Sequence, residues 1–452
     1  MNIIIAGNGK VGSSLARRLS EEGYNLTLID SSAKVLSEVC EDCDVIGVEG
    51  NCASMPVLQQ AGVEDADLLI AATSQDEVNL LCCTTAHGLN PKLHTIARIR
   101  NPEYSQQIYA MRDVFALSFS VNPEQQAARE IESLLRLPGF LQRDTFANGS
   151  TAIVELRVDK DSKLRNVLLN NLNSIVKCKV LVCAVLRNGA AITPGGTFVL
   201  QEGDRIFVTA PTTNLSTLLK NLNIVTRKVR KVLLCGGGRI SLYLAEYLCK
   251  DGIDVSIIES DYDRCINLAT ALPDATVIHG DTTDKSLLEE NGLSSCDALV
   301  SLTGMDELNM IISLYANTRG VPHVITKLGH NENRSISNNL SLGSVISPRE
   351  LSCDTIVRYV RAMSNHSGTA ESVHTIADGQ VEAVEFRVDS HTLYQSTPLK
   401  DIHLRDGVLL VSITHGSITE IPGGNSVFTE GDTIVAVTNR RGSLRQINDI
   451  FA

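Results

Sequence analysis

The feature that most restricts what this chain can fold into is that its message is written twice. Residues 2–30, NIIIAGNGKVGSSLARRLSEEGYNLTLID, find a partner in 231–259, KVLLCGGGRISLYLAEYLCKDGIDVSIIE, which aligns Gly7 with Gly236 and Asp30 with Glu259. Further along, Asp67 to Thr73 (DLLIAAT) aligns with Asp297 to Thr303 (DALVSLT), and Asp76-Glu77-x-Asn79 with Asp306-Glu307-x-Asn309. A different pair of repeats follows each of these. Glu155-Leu-Arg157-Val-Asp159 returns as Glu385-Phe-Arg387-Val-Asp389, and PGG at 194–196 with EGD at 202–204 returns as PGG at 422–424 with EGD at 430–432. Matches in the same order with a drift of one or two residues define two copies of a unit of about 225 residues, and such internal periodicity decides the architecture before any local propensity does.

Within each unit the two halves have different patterns. The first half alternates short apolar β-branched runs (Ile3 to Ile5, Leu26 to Ile29, Val45 to Val48) with helical spacing (Val11, Leu15, Leu19, then Val35, Val39). Strands apolar on both faces and separated by helices predict a parallel sheet covered on both sides. The second half predicts closely spaced strands at Ala152–Val158, Val180–Leu186, Phe198–Val199 and Arg205–Thr209, with PGG and EGD as turns. Asn122-Pro123-Glu124-Gln125 and Ser347-Pro348-Arg349-Glu350 each read as a helix start, with a capping side chain and Pro at the first helical position. The polar stretches Arg143 to Ser150 and Ser364 to Gln380 read as linkers. The expected fold is α/β: two Rossmann-like lobes at 1–140 and 230–363, each followed by a small α+β lobe, at 144–226 and 372–452.

Gly7-Asn8-Gly9-Lys10-Val11-Gly12 follows a strand and opens a helix, the context in which GxGxxG carries weight. The first glycine permits the tight turn, the second lets backbone N–H groups approach a pyrophosphate, and the third lets helix and strand pack closely. An anion then sits at a helix N-terminus, where free N–H groups and the macrodipole favour it. Asp30, ending the second strand, is placed to accept both ribose hydroxyls and would repel a 2′-phosphate, which favours NAD(H) over NADP(H). The second copy reads Gly236-Gly237-Gly238-Arg239-Ile240-Ser241 and ends at Glu259, with Ser241 where the third glycine stood. Ligands of open α/β sheets lie at strand ends. That adds Gly50-Asn51 and Gly280-Asp281, Thr73-Ser74 and Thr303-Gly304, and the cations Arg98 and Lys327. Thr73 reads equally well as a helix cap, and Arg98 as one half of a surface ion pair.

Composition removes other classes. With 40 Lys+Arg against 52 Asp+Glu the net charge is −12, the wrong sign for a nucleic-acid footprint. No apolar run approaches the ~18–20 residues of a membrane helix, and the opening MNIIIAGNGKVG reads as strand and turn rather than a secretory leader, so a cytoplasmic chain is expected. The 12 Cys then read as reduced thiols; Cys40 and Cys43 lack the second pair that a zinc site needs.

The two loops, their acidic strand ends, DADLLIAATSQDEVNL, IARIRNPEY and the PGG…EGD segments are the residues on which the chain resembles the cytosolic nucleotide-binding subunits of bacterial Trk potassium uptake systems, and more broadly the regulator-of-potassium-conductance (RCK) domains. The resemblance spans essentially the whole chain. It implies NAD(H) as ligand, with ATP or ADP able to occupy related sites, at Gly7, Asn8, Gly9, Lys10, Val11, Asp30, Thr73, Ser74 and Arg98. In the second copy it implies Gly236, Gly237, Gly238, Arg239, Ile240, Glu259, Thr303 and Lys327. It further implies a homo-oligomeric ring, expected as a homotetramer, held on the cytosolic face of the inner membrane by a membrane-embedded potassium-translocating partner. Glycine loops alone would equally suit an NAD-dependent dehydrogenase with duplicated Rossmann domains. That enzyme needs a general acid or base, and no repeated His, Lys or Tyr constellation accompanies the loops. A pure scaffold leaves the two acidic strand ends without a purpose. A ligand-sensing, non-enzymatic regulatory subunit is therefore the expected function.

Overall fold

The structure, a computed structural model, describes residues 1–137, 139–224, 228–329, 340, 342–363, 370–440 and 442–452. Residue 226 of the expected first small lobe and the 364–369 part of the expected second linker lie outside the described residues. The chain forms two compact units, one of 1–127 with 348–360 and the other of 128–347 with 361–452.

The first unit is built on the strands β1 (Asn2–Ala6), β2 (Asn25–Asp30), β3 (Ile46–Glu49), β4 (Leu68–Ala71), β5 (His94–Arg98) and β6 (Phe119–Val121). Their order is β3-β2-β1-β4-β5-β6, all parallel, with Ile3 opposite both Leu26 and Leu68. Helices α1 (Lys10–Glu21), α2 (Ala33–Asp42), α3 (Met55–Gln60), α4 (Asp76–Leu89) and α5 (Pro102–Met111) make the crossovers. Because both faces are covered, Ile3, Ile4, Ile5 and Ala6 are all buried, which is why the strand reads as an unbroken apolar run. The reversal of strand order falls between β1 and β4, and there the crevice of an open α/β sheet opens. Helix α6 (Pro123–Arg136) then starts with Asn122 accepting from the Gln125 N–H at 2.9 Å, as its sequence predicts.

The helix Pro348–Met363, which follows the second parallel sheet in sequence, packs on the first lobe. Arg18 pairs with Asp354 at 2.6 Å, Gln126 donates to Thr355 at 3.1 Å, and the rings of Phe119 and Tyr359 stack with centroids 5.2 Å apart.

In the second unit the parallel sheet repeats as β12 (Lys231–Cys235), β13 (Asp254–Glu259), β14 (Thr276–His279), β15 (Ala298–Ser301), β16 (His323–Lys327) and β17 (Ser344–Ile346), in the order β14-β13-β12-β15-β16-β17. Its helices are α9 (Arg239–Lys250), α10 (Tyr262–Ala271), α11 (Lys285–Glu290) and α12 (Asp306–Thr318). Arg136, ending α6, reaches Asp251 just past α9 at 2.9 Å.

The two small lobes are antiparallel sheets. The first takes β7 (Arg143–Phe146), β8 (Thr151–Arg157), β9 (Leu181–Arg187), β10 (Ala190–Ile192) and β11 (Arg205–Pro211), ordered β10-β9-β11-β8-β7, with helices α7 (Leu172–Val176) and α8 (Leu215–Asn221). The second takes β18 (Ala370–Ile376), β19 (Val381–Arg387), β20 (Val408–His415), β21 (Ile418–Glu420) and β22 (Thr433–Thr438), ordered β18-β19-β22-β20-β21. Phe146, Ile153, Cys183 and Phe207 of the first sheet form one core with Ile376, Val381, Val411 and Val435 of the second. Each such side chain contributes about 1.5–3 kcal/mol on burial, so this apolar layer rather than the polar ties across it holds the sheets together. Polar ties cross the same seam: Arg205 bridges Glu155 and Asp378, and Glu385 accepts from the Ala147 N–H at 2.7 Å. Two sequence expectations are corrected. Arg143–Phe146 and Ala370–Ile376, read as linkers, are edge strands, while Phe198–Val199 is no strand but a single bridge from Val199 to Leu168.

Candidate functional site

Each crevice is built by a carboxylate at the end of a strand gripping the glycine loop beside it. Asp30 accepts from the Asn8 N–H at 2.7 Å through one oxygen and from the Ser32 N–H at 3.0 Å through the other. Glu259 does the same with the Gly237 N–H at 2.7 Å and the Asp261 N–H at 2.8 Å. The extra methylene of Glu259 lets it sit buried, with the Arg264 guanidinium 3.4 Å away. Burial alone would push this carboxyl up, but the two N–H donors, Arg264 and Ser260 outweigh it and hold it below the usual range. Sequence reasoning placed both carboxylates correctly at the strand ends but missed that they organise the loop itself.

The glycines divide by role. Gly7 has φ +90°, and a Cβ there would lie 2.7 Å from the Thr73 backbone; Gly236 has φ +102° and would meet the Leu302–Thr303 backbone at 3.0 Å. Gly9 and Gly238, by contrast, face open space and stand immediately before α1 and α9. At the third position a Cβ on Gly12 would fall 2.0 Å from the Gly7 carbonyl oxygen. Ser241 occupies that place in the second copy, fully buried, and donates its hydroxyl to the Gly236 carbonyl. Lys10 and Arg239 begin their helices exposed, while Val11 and Ile240 bury their side chains, which leaves their backbone to face a ligand at the helix start. Asn8 is buried; its amide nitrogen donates to the Val35 carbonyl at 3.1 Å, and its Oδ1 has no partner among the described residues. Gly237 replaces it in the second loop, where a Cβ would strike Leu268 at 2.5 Å.

The opposite wall comes from β4–α4 and β15–α12. Asn79, fully buried, accepts from the Thr73 N–H at 2.8 Å and hydroxyl at 2.7 Å and donates to the Arg98 carbonyl at 2.8 Å, which locks two strand ends together. Asn309 repeats this with Thr303 and the Lys327 carbonyl at 2.8, 2.8 and 3.0 Å. Asp76 collects the Arg100 and Asn101 N–H groups at 2.8 and 2.7 Å, and Asp306 the Gly329 N–H at 2.9 Å. Thr73 also accepts from the Gln75 N–H at 3.3 Å, so its hydroxyl serves the start of α4. The DE-x-N repeat was visible in the sequence, but only the fold shows Asp76 and Asn79 as positioning residues. Ser74 is exposed on the rim, Arg98 is half-buried, and Lys327 turns its ammonium to the Thr303 carbonyl at 2.5 Å. Gly50 packs on Val57, 2.7 Å from where its Cβ would lie, and Gly280 on Leu287 at 2.3 Å, so these glycines serve packing. Among the described residues no group of His, Cys, Asp and Glu could hold a metal ion.

This is a duplicated Rossmann-type chain in which each parallel sheet carries one glycine-loop crevice and is followed by a small antiparallel lobe. The TrkA-N domain family model matches residues 3–115 and 232–348, and the TrkA-C domain model matches 153–223 and 383–452; the chain belongs to the TrkA family of Trk-system potassium uptake proteins. It is 30% identical to the Trk system potassium uptake protein TrkA of Halomonas elongata, over all of this chain and 98% of that one. It is also 30% identical to the TrkA homolog of Archaeoglobus fulgidus, over the whole of both chains. Among solved structures, the GsuK RCK domain has a TM-score of 0.61 at 16% identity, covering 96% of this chain and 92% of that one. The GsuK channel bound to NAD has a TM-score of 0.60 at 16% identity, covering 97% and 76%. Identities this low speak to the fold alone. No described helix is long and apolar enough to cross a membrane.

Proposed function

We propose that this chain is a nucleotide-sensing regulatory subunit of a potassium uptake system, with one adenine-dinucleotide site in each crevice. The observation that carries the reading is the duplicated clasp: a strand-end carboxylate draws a glycine-loop N–H toward itself, and beside it the second glycine faces open space at a helix start. A pyrophosphate fits at that helix start, the remaining lone pairs of Asp30 fit ribose hydroxyls, and Glu259 takes them in exchange for its contacts with Ser260 and Arg264. GsuK structures bound to NAD and to ADP support the same ligand class. NAD(H) is the preferred ligand, with ATP or ADP as competitors. Gly7, Asn8, Gly9, Lys10, Val11, Asp30, Thr73, Ser74 and Arg98 form the first site. Gly236 through Ile240, Glu259, Thr303 and Lys327 form the second. The names of the relatives support a potassium-translocating membrane partner, and the chain acts on that partner's cytosolic face as a homo-oligomeric ring. A ligand biases such an assembly only by its differential affinity for two arrangements, so the regulatory output is a population shift rather than chemistry.

Calorimetric titration with NAD, NADH, ATP and ADP tests this directly. The wild type should bind without consuming NADH, whereas Asp30→Ala with Glu259→Ala should weaken each site about tenfold or more, as expected when a charged hydrogen-bond partner is lost. Unchanged affinity in the double variant would overturn the site, and substrate-dependent NADH oxidation would favour a dehydrogenase.

A further inference from the structure

The two small lobes are repeats, yet they treat one buried carboxylate differently. In the first, Arg187 at the end of β9 grips Asp204 through two bonds of 2.7 Å, donates to the Val199 carbonyl at 2.8 Å and lies 4.6 Å above the Phe198 ring. The aligned positions in the second are His415, Asp432, Val427 and Ser426. The hairpins confirm the alignment, since Arg187 pairs with Ala190 as His415 pairs with Ile418. Asp432 keeps a partner, His415 Nδ1 at 2.8 Å, but the guanidinium and the ring that fill this place in the first copy are gone. Beside His415 and Ser426 lies an open cleft of about 650 Å³ lined by Asn173, Lys179, His415, Glu420 and the loop 421–427. Sites for small molecules occupy roughly 300–1,000 Å³.

The charges on the wall state what would fit. With Nδ1 committed to Asp432, His415 presents Nε2. Lys179, just before β9 of the first small sheet, and Glu420, at the end of β21 of the second, carry no ion pair among the described residues. One uncommitted cation and one uncommitted anion, contributed by different lobes, call for a ligand bearing both signs. We propose that this cavity is a binding site for a small zwitterionic metabolite of the α-amino-acid type. Its carboxylate meets Lys179, its ammonium meets Glu420, and a polar side chain meets His415 Nε2. The ligand would tie the two small lobes together. The site is remote in sequence from both glycine loops, and the proposal stands whatever those loops hold.

The test is calorimetric titration of the full chain with L-glutamine, L-glutamate, L-lysine and glycine betaine. At least one of the three amino acids should bind saturably with one site per chain. Glycine betaine, whose nitrogen has no N–H to offer Glu420, should bind about tenfold or more weakly than that amino acid. Lys179→Ala and Glu420→Gln should each weaken it by a similar factor with an unchanged thermal midpoint. His415→Arg with Ser426→Phe, which rebuilds the first copy's filling, should abolish it. If that variant does not fold, the exposed Lys179→Ala decides alone. No saturable binding of any of the three amino acids, or undiminished binding in Lys179→Ala, would overturn the site.

Discussion

Gly12 and Ser241 answer one steric problem in two ways. The third position of each loop lies under a carbonyl of its first glycine, and in the first copy a Cβ there would come within 2.0 Å of the Gly7 oxygen. No side-chain rotation relieves a contact made by Cβ, so Gly12→Ala must lift the loop away from α1. An overpacked core site typically costs about 1–3 kcal/mol, and the lifted loop would also strain the Asn8 N–H to Asp30 bond. Urea unfolding of Gly12→Ala should show that loss, and NADH titration should show weaker binding. Ser241 is accommodated in the second loop and donates its hydroxyl to the equivalent carbonyl, that of Gly236, so Ser241→Gly should alter stability by no more than about 1 kcal/mol. Equal costs at the two positions would mean that the loops are more alike than their backbones indicate. The clasp also changes what a carboxylate deletion reports. Asp30→Ala removes the proposed ribose acceptor and the anchor of the Asn8 N–H together, so a thermal midpoint belongs beside every affinity measured on it.

At the scale of elements, the informative helix is α6, which links a parallel lobe to an antiparallel one. Glu130 on its inner side has its carboxyl pushed up to about 7, first by burial and then by the nearby Asp144 charge, with Arg143 opposing. Its folded pKa therefore lies above the unfolded value. The native state holds a proton that the unfolded chain has released between roughly pH 4.5 and 7, and over that window stability falls as pH rises. Glu130→Gln removes the need to ionise there. It should raise stability at pH 8 by on the order of 1–3 kcal/mol and flatten the dependence of the denaturation midpoint between pH 5 and 8; an unchanged profile would show that Glu130 is well solvated. The strands on either side mark how far the sequence could be read. Parallel strands announce themselves because burial on both faces demands apolar runs, and their helices because Leu15 and Leu19 repeat at helical spacing. Edge strands such as Arg143–Phe146 and Ala370–Ile376 bury only part of their length, so RDTF and AESVHTI look like loops until β8 and β19 supply their pairing. Likewise Asp30 and Glu259 could be placed by their distance from the glycines. The tie from Asn79 to the Arg98 carbonyl spans nineteen residues and depends on which strands are neighbours, which no local pattern encodes.

For the whole molecule, duplication raises the question of whether the two crevices are equivalent, and the structure argues that they are not. In the first, Asp30 is half-buried and pairs with no cation among the described residues, and Asn8 Oδ1 is a buried acceptor that a ligand donor could satisfy. An acceptor left without a partner costs about 1–3 kcal/mol, part of which a ligand hydroxyl or amine would recover on binding. In the second, Glu259 is buried, holds two backbone N–H groups and faces Arg264, while Lys327 has already spent its ammonium on the Thr303 carbonyl. Ser241 places a buried hydroxyl on the Gly236 carbonyl, at the position where the first loop has Gly12. A ligand entering there must compete with existing partners, and a handicap of about 1.4 kcal/mol is already tenfold in affinity. The first site should therefore be the tighter dinucleotide site by about tenfold or more, filled at ligand concentrations where the second still exchanges. Such an arrangement suits sensing, because a ligand shifts an assembly only over the range in which its occupancy changes. Titrating NADH into Asp30→Ala and Glu259→Ala separately isolates the second and first sites in turn. Asp30→Ala should lose the tight phase and Glu259→Ala the weak one; a second site that alone binds as tightly as the first, or tighter, would show that these internal partners impose no handicap.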